Sequence, residues 1–317
     1  MANWSEILNE VIASGPGPQK DLDGIRRKYL QQLFALTDRN VVAFYSGWLQ
    51  KLGTKSPHFS ISDAAMPGFM AAVNRLDKTK GLDLILHTPG GEINATEQIV
   101  FYLRNIFKGD IRAIVPHLAM SAGTMIALAC KSIVMGLHSN LGPIDPQVGG
   151  GPAHAILEEF KRIQELFRDS PKEAKAWEPI LQKYTPTLIG ACEKAITLSE
   201  TMVKSWLVSG MFTDAKDPEA SANKIISALG SHAQTLSHGR HITIEQARNL
   251  ELKIEPLEGE ENRALQEAVL SVHHCYNITF SMSTAVSIIE NHLGNRYINQ
   301  LPPVAGLQML FGQPPTQ

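Results

Sequence analysis

Leu82-Asp83-Leu84-Ile85-Leu86-His87-Thr88-Pro89-Gly90-Gly91 is the stretch whose reading decides the fold. A short apolar run ends in a Pro-Gly-Gly turn, the pattern of a buried strand closed by a breaker. About thirty residues later the pattern returns. Ile111-Arg112-Ala113-Ile114-Val115-Pro116 leads into Ala119-Met120-Ser121-Ala122-Gly123-Thr124. A helical pattern follows each turn. Residues 94–107 carry Ile99, Tyr102, Leu103 and Ile106 on one face, and residues 122–130 are rich in small side chains. Residues 132–135 add a short strand. Such alternation predicts an α/β fold of βαβ units with a mostly parallel sheet. Right-handed crossovers place both turns at the carboxyl edge of that sheet.

Working outward, residues 41–45 read as the first strand. Residues 62–76 read as a helix, with Ser62 as a candidate N-cap and Met66, Phe69, Met70 and Val73 at helical spacing. Residues 1–39 read as an amphipathic helical arm broken at Gly15-Pro16-Gly17-Pro18. Beyond the loop Gly149-Gly150-Gly151-Pro152 the chain is expected to be mainly helical, over 153–168, 187–209, 223–229, 243–249, 269–274 and 283–292. The Pro- and Gln-rich tail from 302 to 317 is expected to fray. The organisation expected is a helical arm over 1–39, an α/β domain over 40–255, and a helical extension with a flexible tail over 256–317.

The chain has 317 residues, 44% of them apolar, enough for a full core. A net charge of −2 implies no general attraction to nucleic acid or anionic lipid, so no nucleic-acid partner is expected. Cys130, Cys192 and Cys275 show neither metal nor redox spacing, and they sit in apolar segments. Reduced, buried thiols are expected. The first ten residues lack the pattern of a signal peptide, and no apolar run reaches the length of a membrane span. The expected location is the cytoplasm.

A serine hydroxyl becomes a nucleophile only with a base in reach and donors for the oxyanion. Ser121 stands at a strand-to-helix turn, and the following N–H, of Ala122, lies where helix donors are unpaired. Ala-x-Ser-x-Gly is one residue short of the hydrolase Gly-x-Ser-x-Gly elbow. By itself this motif reads better as a serine capping a core helix than as a nucleophile. Gly90-Gly91 is likewise open to three readings: a turn of positive φ, a phosphate cradle, or an oxyanion hole. Neither glycine-rich phosphate motif is present. Coincidence at one sheet edge favours the oxyanion hole.

The stretch from Gly81 to Gly91, Ala119-Met120-Ser121-Ala122-Gly123-Thr124, and Ser139-Asn140-Leu141-Gly142-Pro143-Ile144-Asp145-Pro146-Gln147 together resemble the Clp/crotonase superfamily of serine peptidases. The resemblance is nearest to the serine dehydrogenase proteinase family, which is related to signal-peptide peptidase A. It extends more weakly over residues 41–253. It implies a Clp/crotonase-like spiral of β-β-α units, a mostly parallel sheet and a helical C-terminal part. It also implies Ser121 as nucleophile, Gly91 and Ala122 N–H groups as oxyanion hole, and Gly90 as the sharp turn.

The base is less determined. Clp-type relatives place a histidine about twenty-five residues after the serine. Here that place holds Asp145, with His138 and His154 the nearest histidines. Signal-peptide-peptidase-like relatives use a lysine held neutral by burial. Lys194 sits at the margin of the apolar face expected on the 187–209 helix, through Leu188, Ala191, Ala195, Leu198, Met202 and Trp206; Lys161 is marginal on its own helix, and similarity to the family's lysine-bearing helix favours Lys194. Asp145 either lines the site or caps a turn. His117 and His87 read as strand-end histidines, and His273-His274 are unassigned. His232, His238 and His241 lack metal-ligand spacing and are expected to decorate a polar loop.

The expectation is a cytoplasmic serine endopeptidase with a Ser121–Lys194 dyad, acting on peptides or unfolded segments without cofactor or metal, and forming a homo-oligomer. Two alternatives are an inactive scaffold on the same fold and an acyl-CoA enzyme of the crotonase type.

Overall fold

A computed structural model describes residues 3–170, 172, 175–231 and 235–302. The core is a seven-stranded sheet in the order β11-β10-β1-β2-β3-β5-β9. Its strands are β1 (Asn40–Ser46), β2 (Leu82–His87), β3 (Ile111–Val115), β5 (Ser132–Met135), β9 (Ile254–Pro256), β10 (Ala285–Asn291) and β11 (Arg296–Gln300). β1, β2, β3, β5 and β9 run parallel, while β10 and β11 extend the sheet antiparallel.

Every residue of β1 and β2 is buried, so these strands read as continuous apolar runs. The pleat divides them between two cores. Val42, Phe44, Leu82, Leu84 and Leu86 face one side; Val41, Ala43, Tyr45 and Ile85 face the other. Each fully buried leucine contributes roughly 2 kcal/mol through the area it removes from water. The first core lies under α3 (Met66–Val73), α4 (Ile93–Ile106), α5 (Ala122–Leu128), α8 (Leu188–Val208), α9 (Pro218–Gly230) and α10 (Ile244–Asn249). The second lies under α1 (Trp4–Ala13), α2 (Leu22–Thr37) and α11 (Arg263–Met282). A third, small cluster joins α6 (Ala153–Asp169) to the start of α8, with the short α7 (Glu178–Leu181) between them in sequence.

Past the ends of β2 and β3 the chain continues in a second, smaller layer. β4 (Leu118–Ala119) pairs parallel with β6 (Asn140–Leu141), and Thr88 bridges to Ala119. β7 (Gln147–Val148) and β8 (Gly151–Pro152) form a small hairpin.

Three local expectations change. Residues 283–292 are not helical: they form β10, buried along its whole length against β1. Short apolar runs carry no decisive period, and the β-branched Val286, Ile288 and Ile289 suit a strand with partners on both sides. The segment 256–317, read as helical, therefore adds two strands to the central sheet. Ser62 does not cap with its side chain; a 3₁₀ turn (Asp63–Ala65) precedes α3, which ends at Val73. The expected tail lies outside the described residues beyond Pro302. Cys130, Cys192 and Cys275 are free and buried. Among the described residues no helix is long and apolar enough to cross a membrane.

Candidate active site

β2 and β3 are adjacent and parallel, so both glycine-centred turns emerge at one sheet edge. They are bonded to each other: the Thr88 N–H donates to Leu118 O at 3.0 Å, and the Met120 N–H to Thr88 O at 3.0 Å. Gly90 has φ 106, and a Cβ there would lie 2.6 Å from the Ser121 Cβ and 2.8 Å from Met120 O. Only glycine fits both the conformation and the space. At Gly91 a Cβ would meet Ile61 O at 2.1 Å. Ile61 runs alongside, its N–H donating to Gly90 O and its carbonyl accepting from the Glu92 N–H, each at 2.8 Å. That pairing leaves the Gly91 N–H without a backbone acceptor among the described residues. The Ala122 N–H, first in α5, is in the same position.

Ser121 occupies the N-cap of α5, yet its side chain makes no capping bond. Its backbone sits at φ 51, ψ −117, a region a non-glycine residue enters only under strain. Such strain costs on the order of 1–3 kcal/mol and concentrates at functional turns. The geometry is that of a nucleophile elbow, which presents a hydroxyl at the tip of a sharp strand-to-helix turn.

A cavity of about 830 Å³ opens at this edge. Gly90, Gly91, Ser121 and Ala122 line it, as do Asp145 and His238. Ile61, Met125, Ile144 and Ser199 supply much of its wall. Asp145 is fully buried, and one carboxylate oxygen lies 2.8 Å from His238 Nδ1. Its loop is anchored to two helices and braced by one bond of its own. Ile144 N–H donates to Leu229 O at 2.8 Å, the Ser199 hydroxyl to Ile144 O at 3.3 Å, and Gln147 Nε2 to Asp145 Oδ2 at 3.0 Å. No hydrogen bond joins Ser121 to His238.

The two lysines are elsewhere. Lys194 and Lys161 are exposed, and neither lines the cavity. The buried side of α8 runs through Leu188, Cys192, Ser199, Met202, Val203 and Leu207, while Leu198 is 37% exposed. The face inferred from the large apolar side chains is thus rotated from the one that packs. Ala195 and Ser199, one turn apart, are what α8 presents to the cavity. His238, expected to decorate a polar loop, lines the cavity instead; its loop neighbour His232 lies outside the described residues. His138, His154 and His241 do not line it.

His87 and His117 end up behind the turns, on the second core's side. Their rings lie 5.6 Å apart, and each is within 6 Å of the ring of His273. Burial, then the neighbouring His117, push the His87 pKa down to about 3, against the opposing bond from the Leu118 N–H. Burial, then His87 and His117, hold His273 well below the ordinary range. Burial, then His138 and His241, also lower His117. Among the described residues no group of three His, Cys, Asp or Glu side chains is arranged to hold a metal.

A family model for ClpP-like SDH-type serine proteinases matches residues 59–269. The chain belongs to this family. The span of the SDH-type proteinase match takes in Gly91, Ser121, Asp145 and His238. The central α/β sheet, parallel over five strands, is the ClpP-like fold. Two uncharacterized proteins of Methanocaldococcus jannaschii are similar. One is 34% identical over 187 residues, covering 58% of either chain; the other is 33% identical over 198 residues, covering 62% of either. The chain spans about three-fifths of the length of these curated relatives.

Proposed function

We propose that this SDH-type proteinase hydrolyses peptide bonds through Ser121, with His238 as general base, Asp145 as its orienting carboxylate, and the Gly91 and Ala122 N–H groups as oxyanion hole. The observation that carries the reading is the strained, non-capping Ser121 opening onto the same cavity as His238 and its buried partner Asp145. A serine kept only to cap a helix would use its hydroxyl for the cap and would need no positive φ.

The chemistry follows from the donors and acceptors. A carboxylate only accepts, so the hydrogen bond at 2.8 Å puts the proton of a neutral His238 on Nδ1 and leaves Nε2 unprotonated. Nε2 takes the Ser121 proton as Oγ attacks the scissile carbonyl. The carbonyl oxygen becomes an oxyanion, met by two N–H donors that need no reorganisation. His238 then passes its proton to the leaving amine, the C–N bond breaks, and an acyl-enzyme remains. Water, deprotonated by His238, releases the acyl group and restores Ser121. In chain order the roles run Ser, Asp, His, the order of α/β-hydrolases. Catalysis by contact between Ser121 and His238 requires that gap to close on substrate, as catalytic hydrogen bonds in free enzymes commonly do. In this reading a histidine, not Lys194 or Lys161, is the base.

Peptides or unfolded segments are the substrates proposed, and a homo-oligomer acting in the cytoplasm is the setting. Family membership supports the first two, and three buried free thiols agree with the third. The test is labelling by a fluorophosphonate serine probe. Wild type should label, Ser121→Ala should not, and His238→Ala should slow labelling on the order of 10²–10⁴-fold. Folded wild type that fails to label between pH 6 and about 9.5 would sink the peptidase reading and leave the scaffold alternative. Light scattering on the same protein gives the oligomeric state.

A further inference from the structure

Thr124 is fully buried in the first turn of α5 and spends its hydroxyl on two other segments. It donates to Ala119 O at 2.7 Å and accepts from the Gly142 N–H at 2.8 Å. The roles are fixed, because a carbonyl only accepts and an amide N–H only donates. A helical threonine whose role is local bonds the carbonyl three or four residues back. Thr124 instead reaches five residues back into β4, and across to the loop after β6.

Those two targets matter. Ala119 stands two residues before Ser121, and Gly142 three before Asp145. Gly142 also lies against the nucleophile turn, where a Cβ would meet Met120 Cε at 2.8 Å and Ser121 N at 3.1 Å. Its neighbour Leu141 exchanges both backbone bonds with Ile242, at 3.0 and 2.9 Å, four residues beyond His238. The loop's other anchors, Leu229 and Ser199, belong to α9 and α8 and not to the helix that Ser121 begins. Through these bonds the Thr124 hydroxyl joins the nucleophile's own helix to the acid's loop.

We propose that Thr124 is a positioning residue: its hydroxyl sets the spacing between Ser121 and the Asp145–His238 pair. The inference rests on the proposed triad, and the test separates the two.

Thr124→Val keeps the branched shape and removes the hydroxyl; Thr124→Ser keeps the hydroxyl. Fluorophosphonate labelling rates are measured from pH 6 to 9, with unfolding midpoints alongside. Thr124→Val should label at least about tenfold more slowly on the pH plateau while still folded, because misplacement by about 1 Å costs on the order of 10²-fold in well-oriented sites. The pH midpoint should stay put, since the Asp145–His238 contact itself is untouched. Thr124→Ser should restore the rate to within about threefold, the scatter expected of an ordinary conservative change. In an Asp145→Asn background the Thr124→Val effect should collapse below threefold, because residues acting as one unit are not additive.

Labelling of Thr124→Val at the wild-type rate overturns the proposal. So does an undiminished loss in the Asp145→Asn background, which would mark a general structural role. If Asp145→Asn alone labels like wild type, the triad fails, and the proposal with it, by a different result. Should Thr124→Val not fold, Thr124→Cys carries the same comparison, since its thiol is a weak donor and acceptor of similar size.

Discussion

Acidification should destabilise this protein before its carboxylates titrate, and the histidines behind the two glycine-centred turns are the cause. His87 is wholly buried, its Nε2 has no partner among the described residues, and its Nδ1 accepts the Leu118 N–H at 3.4 Å. The charged and titratable groups facing it offer no counter-charge: His117 follows β3, Tyr45 lies on β1, His273 on α11, with His138, His241 and His274 beyond. Desolvation leads the causes that keep it neutral, down to about pH 3. In the unfolded chain a histidine titrates near 6.5.

The sign follows from proton counting. Between about 6.5 and 3 the unfolded state binds a proton that folded His87 refuses, so stability falls as pH falls through that window and is flat above it. At pH 5 this one residue costs about 2 kcal/mol relative to neutral pH. His273, buried and displaced in the same direction, deepens the loss. Typical domains hold about 5–15 kcal/mol in total. Urea unfolding followed by tryptophan fluorescence at pH 7.5, 6 and 5 reads this directly. His87→Asn, which keeps an acceptor near the Nδ1 position but does not titrate, should remove about 2 kcal/mol of the fall. A loss below about 1 kcal/mol between pH 7 and 5 in wild type, less than one such histidine supplies, refutes the reasoning.

Other outcomes follow from the same edge. Ser121→Gly should be about 1 kcal/mol more stable than Ser121→Ala in urea, because glycine relieves the φ 51 strain while losing part of the gain to chain entropy; equal midpoints would mean the turn is not strained. Gly90→Ala should label on the order of 10²-fold more slowly while remaining folded, since its Cβ is driven into the Ser121 Cβ at 2.6 Å; wild-type labelling would show that the two turns are not mutually fixed. Lys194→Ala and Lys161→Ala should leave both labelling and stability close to wild type, as exposed side chains outside the cavity. A large loss in either would return the base to a lysine.

What the sequence made legible was whatever the backbone demands locally. The buried parallel strands appear as apolar runs such as Leu82–Leu86, and the positive φ and close approach at Gly90 appear as a glycine that nothing else could replace. The Asp145–His238 contact has no such local signature. It joins residues 93 apart, in two loops that the pairing of Leu141 with Ile242 brings together. β10 was hidden for a related reason, since its strand character is conferred by β1 and β11 on either side.

The misplaced face of α8 is the most instructive difference. Large side chains such as Leu198 and Trp206 pull the apparent apolar stripe toward themselves, whereas the packed side includes the small Cys192 and Ser199. A buried serine looks like an interruption of the hydrophobic pattern, yet its hydroxyl holds Ile144 O beside Asp145. Thr124 and Asp145 are interruptions of the same kind, fully buried polar groups in apolar surroundings. Burying a polar group costs free energy unless it is bonded, so an economical core would exclude all three. Their bonds converge on one cavity edge, and that convergence explains why a pattern-based reading fails there first: the departures from hydrophobic periodicity are the site.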